Sequence, residues 1–327
     1  MKKIIYIITV SILLLSLYIA NEFFMPVEFN NEEVEIQIPS GMTYHGILLL
    51  LDKNGMNRNI YLFQVYGILS GIDKKIKAGY YIFSRGTSAY DILNELYTGE
   101  TIRYFSILVI PGSTIWDLAE KFDNQHVIDK GSFIHTIMDE EFRKSLKVDA
   151  PTLEGYLSPD TYKFPKKYPM EDIIKIMLRN RRINYPKNFN QRINQLGMTE
   201  NQVLTLASII EKEAVVDSER AVISGVYHNR LKRGVRLQAD PTAIYGVKEY
   251  RMGVTKNDLS NDTNYNTYKI SGLPPGPIAT PSNKSIVAAL YPEDVPYLYF
   301  VSKHDGTHQF TATYFEHVDA VRKYKKR

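Results

Sequence analysis

Apolar positions fall into three kinds of pattern along this chain. The first is continuous. Ile4 to Ala20 is interrupted only by Thr9, Ser11 and Ser16, with Lys2 and Lys3 before it and Asn21 and Glu22 after it. As a helix, at about 1.5 Å per residue, this run covers roughly 26 Å, and it reaches across a bilayer core once Phe23 and Phe24 sit in the interface. A cleavable signal peptide is the rival reading, but Tyr18-Ile19-Ala20 is a poor small-x-small cleavage site. The expectation is an uncleaved anchor over residues 1–24, with the lysines inside and everything after Glu22 outside.

The second pattern is a β-rich run that meets a glycine and a Ser or Thr and then turns helical. It occurs three times beyond a polar linker near Asn30 to Glu33: from Val34 (VEIQIPSGMTYHGILLLL), from Tyr80 (YYIFSRGTSAYDILNEL) and from Phe105 (FSILVIPGSTIWDLAEKF). The glycine turns the chain and the hydroxyl caps the next helix, so each copy predicts strand, tight turn, helix. The first copy, a helix over Asn59 to Leu69 and the Tyr80 strand give β-α-α-β. From Asp129 to Gly197 the chain reads as mostly helical and polar, punctuated by Pro151, Pro159, Pro165, Pro169 and Pro186.

The third pattern is helical. Thr199 followed three residues later by Gln202 has the form of a capping box, and Val203, Leu206, Ala207, Ile210 and Ala214 make one apolar stripe behind it. A second helix, capped by Asp217 or Ser218, closes on Lys232, Arg233 and Gly234. Arg236 to Asp240 reads as extended, with Asp240 as the N-cap of a further helix opened by Pro241, so Gln238 and Asp240 are expected at a strand end.

Composition adds bounds. The chain has 327 residues, 44% of them hydrophobic, which suits about two domains with real cores. A net charge of +4 is too modest to argue for nucleic acid, and Lys323, Lys325, Lys326 and Arg327 read as a solvated basic tail. With no cysteine, neither a disulfide nor a thiolate metal site can form. His304 and His308 flank Asp305-Gly306, a turn between strands, and no metal or phosphate-binding motif is present. No metal and no cofactor is expected.

The candidate chemistry lies in Glu211-Lys212-Glu213. At about 100° per residue, Glu213 falls beside Leu206 at the edge of the apolar stripe, and Glu211 lies about 160° around the helix from it. A carboxyl group at such a rim is partly desolvated and can hold a proton near neutral pH, as a general acid must. The same three residues also fit a solvated charge run closing a helix, and the pattern alone leaves both readings open.

The segments LEGYLSPDTY, LASIIEKEA, SERAVISGVYHNRL, LQADPTAIYG, YNTYKISGLPPGPIATP and YLYFVSKHDGTHQFTATYFEH occur in this order from Leu153 onward. Together they resemble the endolytic murein transglycosylases, the YceG-like or MltG family, over nearly all of the chain outside the apolar N-terminus. The chain departs from that family at Ser158, where an aromatic residue is usual.

The resemblance implies an α+β fold: anchor 1–24, a small LysM-like β-α-α-β domain 25–104, a connecting strand-helix segment 105–150 and a catalytic domain 151–327. It implies a lyase that cuts peptidoglycan strands, with the acid carried over to Glu213, no cofactor, and a bacterial cell-membrane location. Its partners would be glycan strands and the membrane, with cell-wall synthases as further candidates. Tyr156, Asp160 and Tyr162 either line a sugar subsite or belong to a packed loop. Gln238 and Asp240, with Tyr265, Asn266 and Tyr268 of the stiff Pro/Gly-rich loop, are expected to wall the cleft. Tyr80, Tyr81, Tyr90 and Trp116 are candidates for stacking on sugars, or simply core. A hydrolytic muramidase, with Asp240 as its second carboxylate, and a non-enzymatic wall-binding scaffold are the alternatives.

Overall fold

The computed structural model describes residues 2–27, 32–56, 59–99, 104–165 and 168–324. Asn30 and the basic positions Lys325, Lys326 and Arg327 lie outside the described residues, and Glu33 already opens a strand. The chain packs as two units, one of residues 1–105 with 163–168 and one of residues 106–162 with 169–327.

The first unit begins with α1 (Lys2–Phe24), a 23-residue apolar helix long enough to cross a membrane. Then come β1 (Glu33–Ile38), α2 (Tyr44–Lys53), α3 (Ile60–Ser70), β2 (Gly79–Ser84) and α4 (Ala89–Thr98). The expected β-α-α-β order is present, with β1 and β2 antiparallel in the register Val34 to Phe83 and Ile36 to Tyr81. Local chemistry sets each element. Gly41 and Gly86 turn at φ 82 and 91°, and the Thr43 and Ser88 hydroxyls accept from the first-turn amides of α2 and α4. Ile36, Ile38, Leu48, Leu51, Phe63, Phe83, Ile92 and Leu96 form one core, and Phe23 at the end of α1 is part of it. Tyr81 is buried in that core with its hydroxyl donating to Lys77 O at 2.6 Å, so of the two readings of this residue it is the core one that holds.

β3 (Tyr104–Val109) leads to the third strand-turn-helix copy. There Gly112 turns at φ 81° and Thr114 caps α5 (Ile115–Asn124) through a full capping box with Asp117. Then follow α6 (Lys130–Met138), α7 (Glu140–Ser145), β4 (Asp160–Pro165), α8 (Met170–Ile183), α9 (Phe189–Leu196) and α10 (Glu200–Glu213). α11 (Arg220–Lys232), α12 (Asp240–Ile244), α13 (Asn283–Leu290), β5 (Tyr299–Ser302), β6 (His308–Thr311) and α14 (Tyr314–Tyr324) complete the chain. β5 and β6 pair antiparallel across the turn expected at Asp305-Gly306.

α10 is the centre of the second unit, and it contacts α11, α12 and α13. Thr199 and Gln202 exchange side-chain-to-amide bonds of 3.2 and 2.9 Å, the capping box read from the sequence. Every residue from Val203 to Ile210 is buried, so the helix is enclosed on all sides rather than along one stripe. Its polar members are satisfied internally: Thr205 Oγ1 donates to Asn201 O, and Ser208 Oγ accepts from Ile278 N at 3.0 Å.

Candidate active site

α10 ends on Glu211, Lys212 and Glu213, and the structure sends the three side chains to three different neighbourhoods. The Glu211 carboxylate accepts from Ser282 N (2.9 Å), Ser282 Oγ (2.5 Å) and Ser285 Oγ (2.7 Å), and it pairs with Arg220 at 3.3 Å. Since Ser282 is the N-cap of α13, Glu211 fastens one helix end to the start of another. Lys212 Nζ donates to Gly112 O at 3.3 Å and lies 3.7 Å from the centre of the Tyr250 ring. Glu213 faces neither, which is the separation of the two glutamates that helical geometry requires.

Glu213 is half-buried. Burial, then the nearby charge of Asp240, push its carboxyl up to about 8, against a hydrogen bond at 3.2 Å from the Tyr227 hydroxyl that works the other way. Its ordinary value is 4.5, so the group holds a proton at neutral pH. Between those two values the folded state keeps a proton that the unfolded chain has lost, so stability falls as pH rises through the window. Glu213→Gln should remove this term. In urea unfolding at about pH 5 and about pH 8, the variant should gain on the parent at the higher pH; an unchanged gap would mean that Glu213 is already ionised when folded.

Asp240 stands at the first position of α12, exposed, and accepts from the Tyr268 hydroxyl at 2.6 Å. Gln238 lies just before it. The strand expected here is absent, because the backbone groups of this segment are used elsewhere. Gln238 N donates to Thr267 O (3.2 Å) and Ala239 N to Thr267 Oγ1 (2.9 Å), while Arg230 Nη1 donates to Arg236 O (3.0 Å) and Leu237 O (2.8 Å). The N-cap of α12 is correspondingly Ala239 rather than Asp240. Gln238 adopts φ 49°, in the left-handed region, and its side-chain oxygen accepts from Arg230 at 3.3 Å. Glu213, Gln238, Asp240 and Tyr268 thus belong to one region, organised by Tyr227 and Arg230. Sequence reasoning gave those two residues no role, because a tyrosine inside a helix and an arginine in its last turn read as packing and dipole complement.

The other expected contacts are placed differently. Asn266 is fully buried, donating to Leu259 O (3.1 Å) and Asn261 O (2.7 Å) and accepting from Tyr268 N (3.0 Å), so it shapes the loop instead of lining a wall. Tyr156 and Tyr162 are buried too, and Tyr162 donates to Ser158 O at 2.9 Å; of the two readings of this segment, the packed loop holds for both tyrosines. Asp160 is exposed, one of its oxygens accepting from Thr161 N. Ser158 itself is buried, its amide donating to Met177 O at 3.3 Å.

Tyr265 joins a second group. Its ring packs on Tyr245 (4.6 Å between centroids), which packs on Trp116 (5.0 Å). Beneath them Glu154 is wholly buried, held up to about 8 by that burial, and accepts from Ile115 N, Gly155 N and the Tyr245 hydroxyl. Nothing in the local pattern marks it, since a glutamate before Gly155 in a turn-rich stretch reads as solvated. A cavity of about 460 Å³ opens beside this group, lined by Trp116, Tyr245, Tyr250 and Lys212 but not by Glu213.

The chain is 35% identical over 315 residues to an endolytic murein transglycosylase of Bacillus subtilis, covering 91% of this chain and 87% of the relative. It is 29% identical to an endolytic murein transglycosylase of Streptococcus pneumoniae, covering 85% of this chain but only 56% of that longer protein. A crystal structure of a YceG-like protein from Listeria monocytogenes matches with a TM-score of 0.61 at 32% identity, over 88% of this chain and 98% of the other. The profile of the YceG-like family matches residues 36–323, and with these matches the chain belongs to that family.

Proposed function

We propose that the chain is a membrane-anchored lytic transglycosylase that cuts peptidoglycan strands internally, between N-acetylmuramic acid and N-acetylglucosamine. The observation that carries this reading is the environment of Glu213: a half-buried carboxyl, pushed up to about 8 and hence protonated at neutral pH, in one region with Asp240 and Tyr268. The names of the relatives, endolytic murein transglycosylases, support the substrate class.

In this mechanism Glu213 gives its proton to the glycosidic oxygen as the bond from muramyl C1 to that oxygen breaks, releasing the N-acetylglucosamine hydroxyl. The muramyl C6 hydroxyl closes on C1, and its proton passes to the Glu213 carboxylate, which restores the acid. No water is consumed and the product carries a 1,6-anhydro end. Gln238, Asp240 and Tyr268 would hold the sugars about the scissile bond. Tyr265 would meet the strand further along, while Asn266 would act through the loop that it holds. We read the β1-α2-α3-β2 arrangement as a LysM-like glycan-binding unit and α1 as a single membrane span with the lysines inside. Cell-wall synthases remain the expected neighbours.

A second reading has one observation in its favour: the charge of Asp240 acts on Glu213, so a second carboxylate is close by. If Asp240 activates water or attacks C1, the enzyme is a muramidase and releases reducing muramic acid. Mass spectrometry of the muropeptides released from purified glycan strands separates the two. Anhydro-muramic ends are expected; reducing ends alone would establish hydrolysis, and no release at all would leave a binding protein.

A further inference from the structure

We infer that α3 is a membrane-contacting helix, its first turns entering the same bilayer that α1 enters and its outward face turned to lipid. The inference rests on the reading of α1 as an anchor. α3 has no charged residue, and its outward positions are Tyr61, Val65, Ile68 and Leu69, at 78, 56, 58 and 82% exposure. They recur at helical spacing, opposite the buried Phe63 and Gly67. Four large apolar side chains on one face of an 11-residue helix form a patch that water does not favour.

What covers the patch follows from how α3 is held. The Asn59 side chain, which caps α3, donates to the Tyr18 hydroxyl at 3.4 Å. Further along, Phe63 stacks on Phe23 with 4.9 Å between centroids, and Tyr66 lies 4.9 Å from the same ring. α3 therefore runs beside the last turns of α1, in the same direction. A helix of 23 residues is about 34 Å long, a few ångströms more than a hydrocarbon core of about 30 Å. Tyr18 lies six residues before the end of α1, about 9 Å back along it, which for an untilted helix is about 7 Å inside the edge of the hydrocarbon core. Asn59 sits at that level, so the start of α3 cannot be in bulk water while α1 spans the membrane. This holds whichever face of the membrane it is.

The sequence completes an interfacial pattern. After Gly71 the chain continues with Asp73, Lys74 and Lys75, and both lysines are exposed where an anionic headgroup could meet them. The helix thus descends from its Ser70 end, beside these lysines, to its deepest position at Tyr61. Such a contact would fix the tilt of the first unit on the membrane, where a single helix alone would leave it free to swing.

Because the chain has no cysteine, single labels can be placed at will. The full chain is reconstituted in phosphatidylcholine and phosphatidylglycerol vesicles that carry nitroxide-labelled lipids. A fluorophore is attached in turn to Tyr61→Cys, Leu69→Cys, Leu17→Cys in the anchor and Asn124→Cys at the exposed end of α5. Quenching of the Tyr61→Cys label should come within about a factor of two of the Leu17→Cys label, with the Leu69→Cys label between it and the Asn124→Cys label. If Leu17→Cys is quenched while Tyr61→Cys and Leu69→Cys match Asn124→Cys, α3 faces water and the inference is wrong although the anchor stands. If Leu17→Cys is not quenched either, the anchor itself is absent and the inference goes with it.

Discussion

Glu213→Gln should lower turnover of glycan strands by about 10² to 10⁴ while the protein stays folded, because an amide of the same shape cannot deliver the proton that bond cleavage needs. The informative partner is Glu211→Gln. Glu211 meets Ser282, Ser285 and Arg220, so its replacement withdraws one of the two counter-charges of a mostly buried arginine, leaving Asp217 at 3.0 Å, and weakens the start of α13. Breaking such a pair is costly, and about 1 to 3 kcal/mol of stability should go for an isosteric change. Turnover per folded molecule should change far less than in Glu213→Gln. Activity normalised to the folded fraction from denaturant unfolding makes the comparison. Were Glu211→Gln the variant that loses turnover with its stability intact, the acid would have been assigned to the wrong glutamate.

The second large effect is expected from Gly155→Ala. Gly155 has φ 79°, and an added Cβ would stand 2.6 Å from Pro277 Cβ and 2.7 Å from Pro277 Cγ. Left-handed backbone costs a residue with a side chain about 1 to 2 kcal/mol, and overpacking of this kind about 1 to 3 kcal/mol more. For a unit of this size the melting temperature should fall by about 5 to 15 °C. Gly272→Ala separates the two contributions, since Gly272 has φ 80° but nothing within 4 Å of its would-be Cβ. It should lose only the backbone part. Equal shifts for the two variants in thermal unfolding would mean that the 277–279 loop yields to Gly155→Ala, and that the two loops are not tightly joined.

What the sequence made legible is what local chemistry decides. The three strand-turn-helix copies could be read because a glycine at positive φ and a hydroxyl cap act within a few residues of each other, as at Gly86 and Ser88. The capping box at Thr199 and the turn at Asp305-Gly306 are equally local. The opposite orientations of Glu211 and Glu213 needed only the helical period. What could not be read depends on partners far along the chain. The 236–240 segment has extended-strand chemistry, but its hydrogen bonds go to Thr267 and Arg230, so no strand forms. Asn266, Tyr156 and Tyr162 carry groups suited to binding sugars, and the fold uses them in its own packing, Asn266 and Tyr162 within their loops and Tyr156 against Asn201 of α10. Glu154 was invisible for the converse reason: only the assembled fold brings Ile115 N and the Tyr245 hydroxyl to its carboxyl.

The last turn of α10 has a mechanical meaning as well. Its three consecutive side chains are each engaged by a different neighbour, so the helix end is keyed like a shaft against two stops, Glu211 on α13 and Lys212 on Gly112 and Tyr250. A rotation of about 100°, or an insertion of one residue, would bring each side chain to the next one's stop. Small slips are therefore blocked, and the aim of Glu213 is set through the contacts of its two neighbours in the helix. Damage at Lys212 or Tyr250 should then surface as lost rate with little change in apparent affinity.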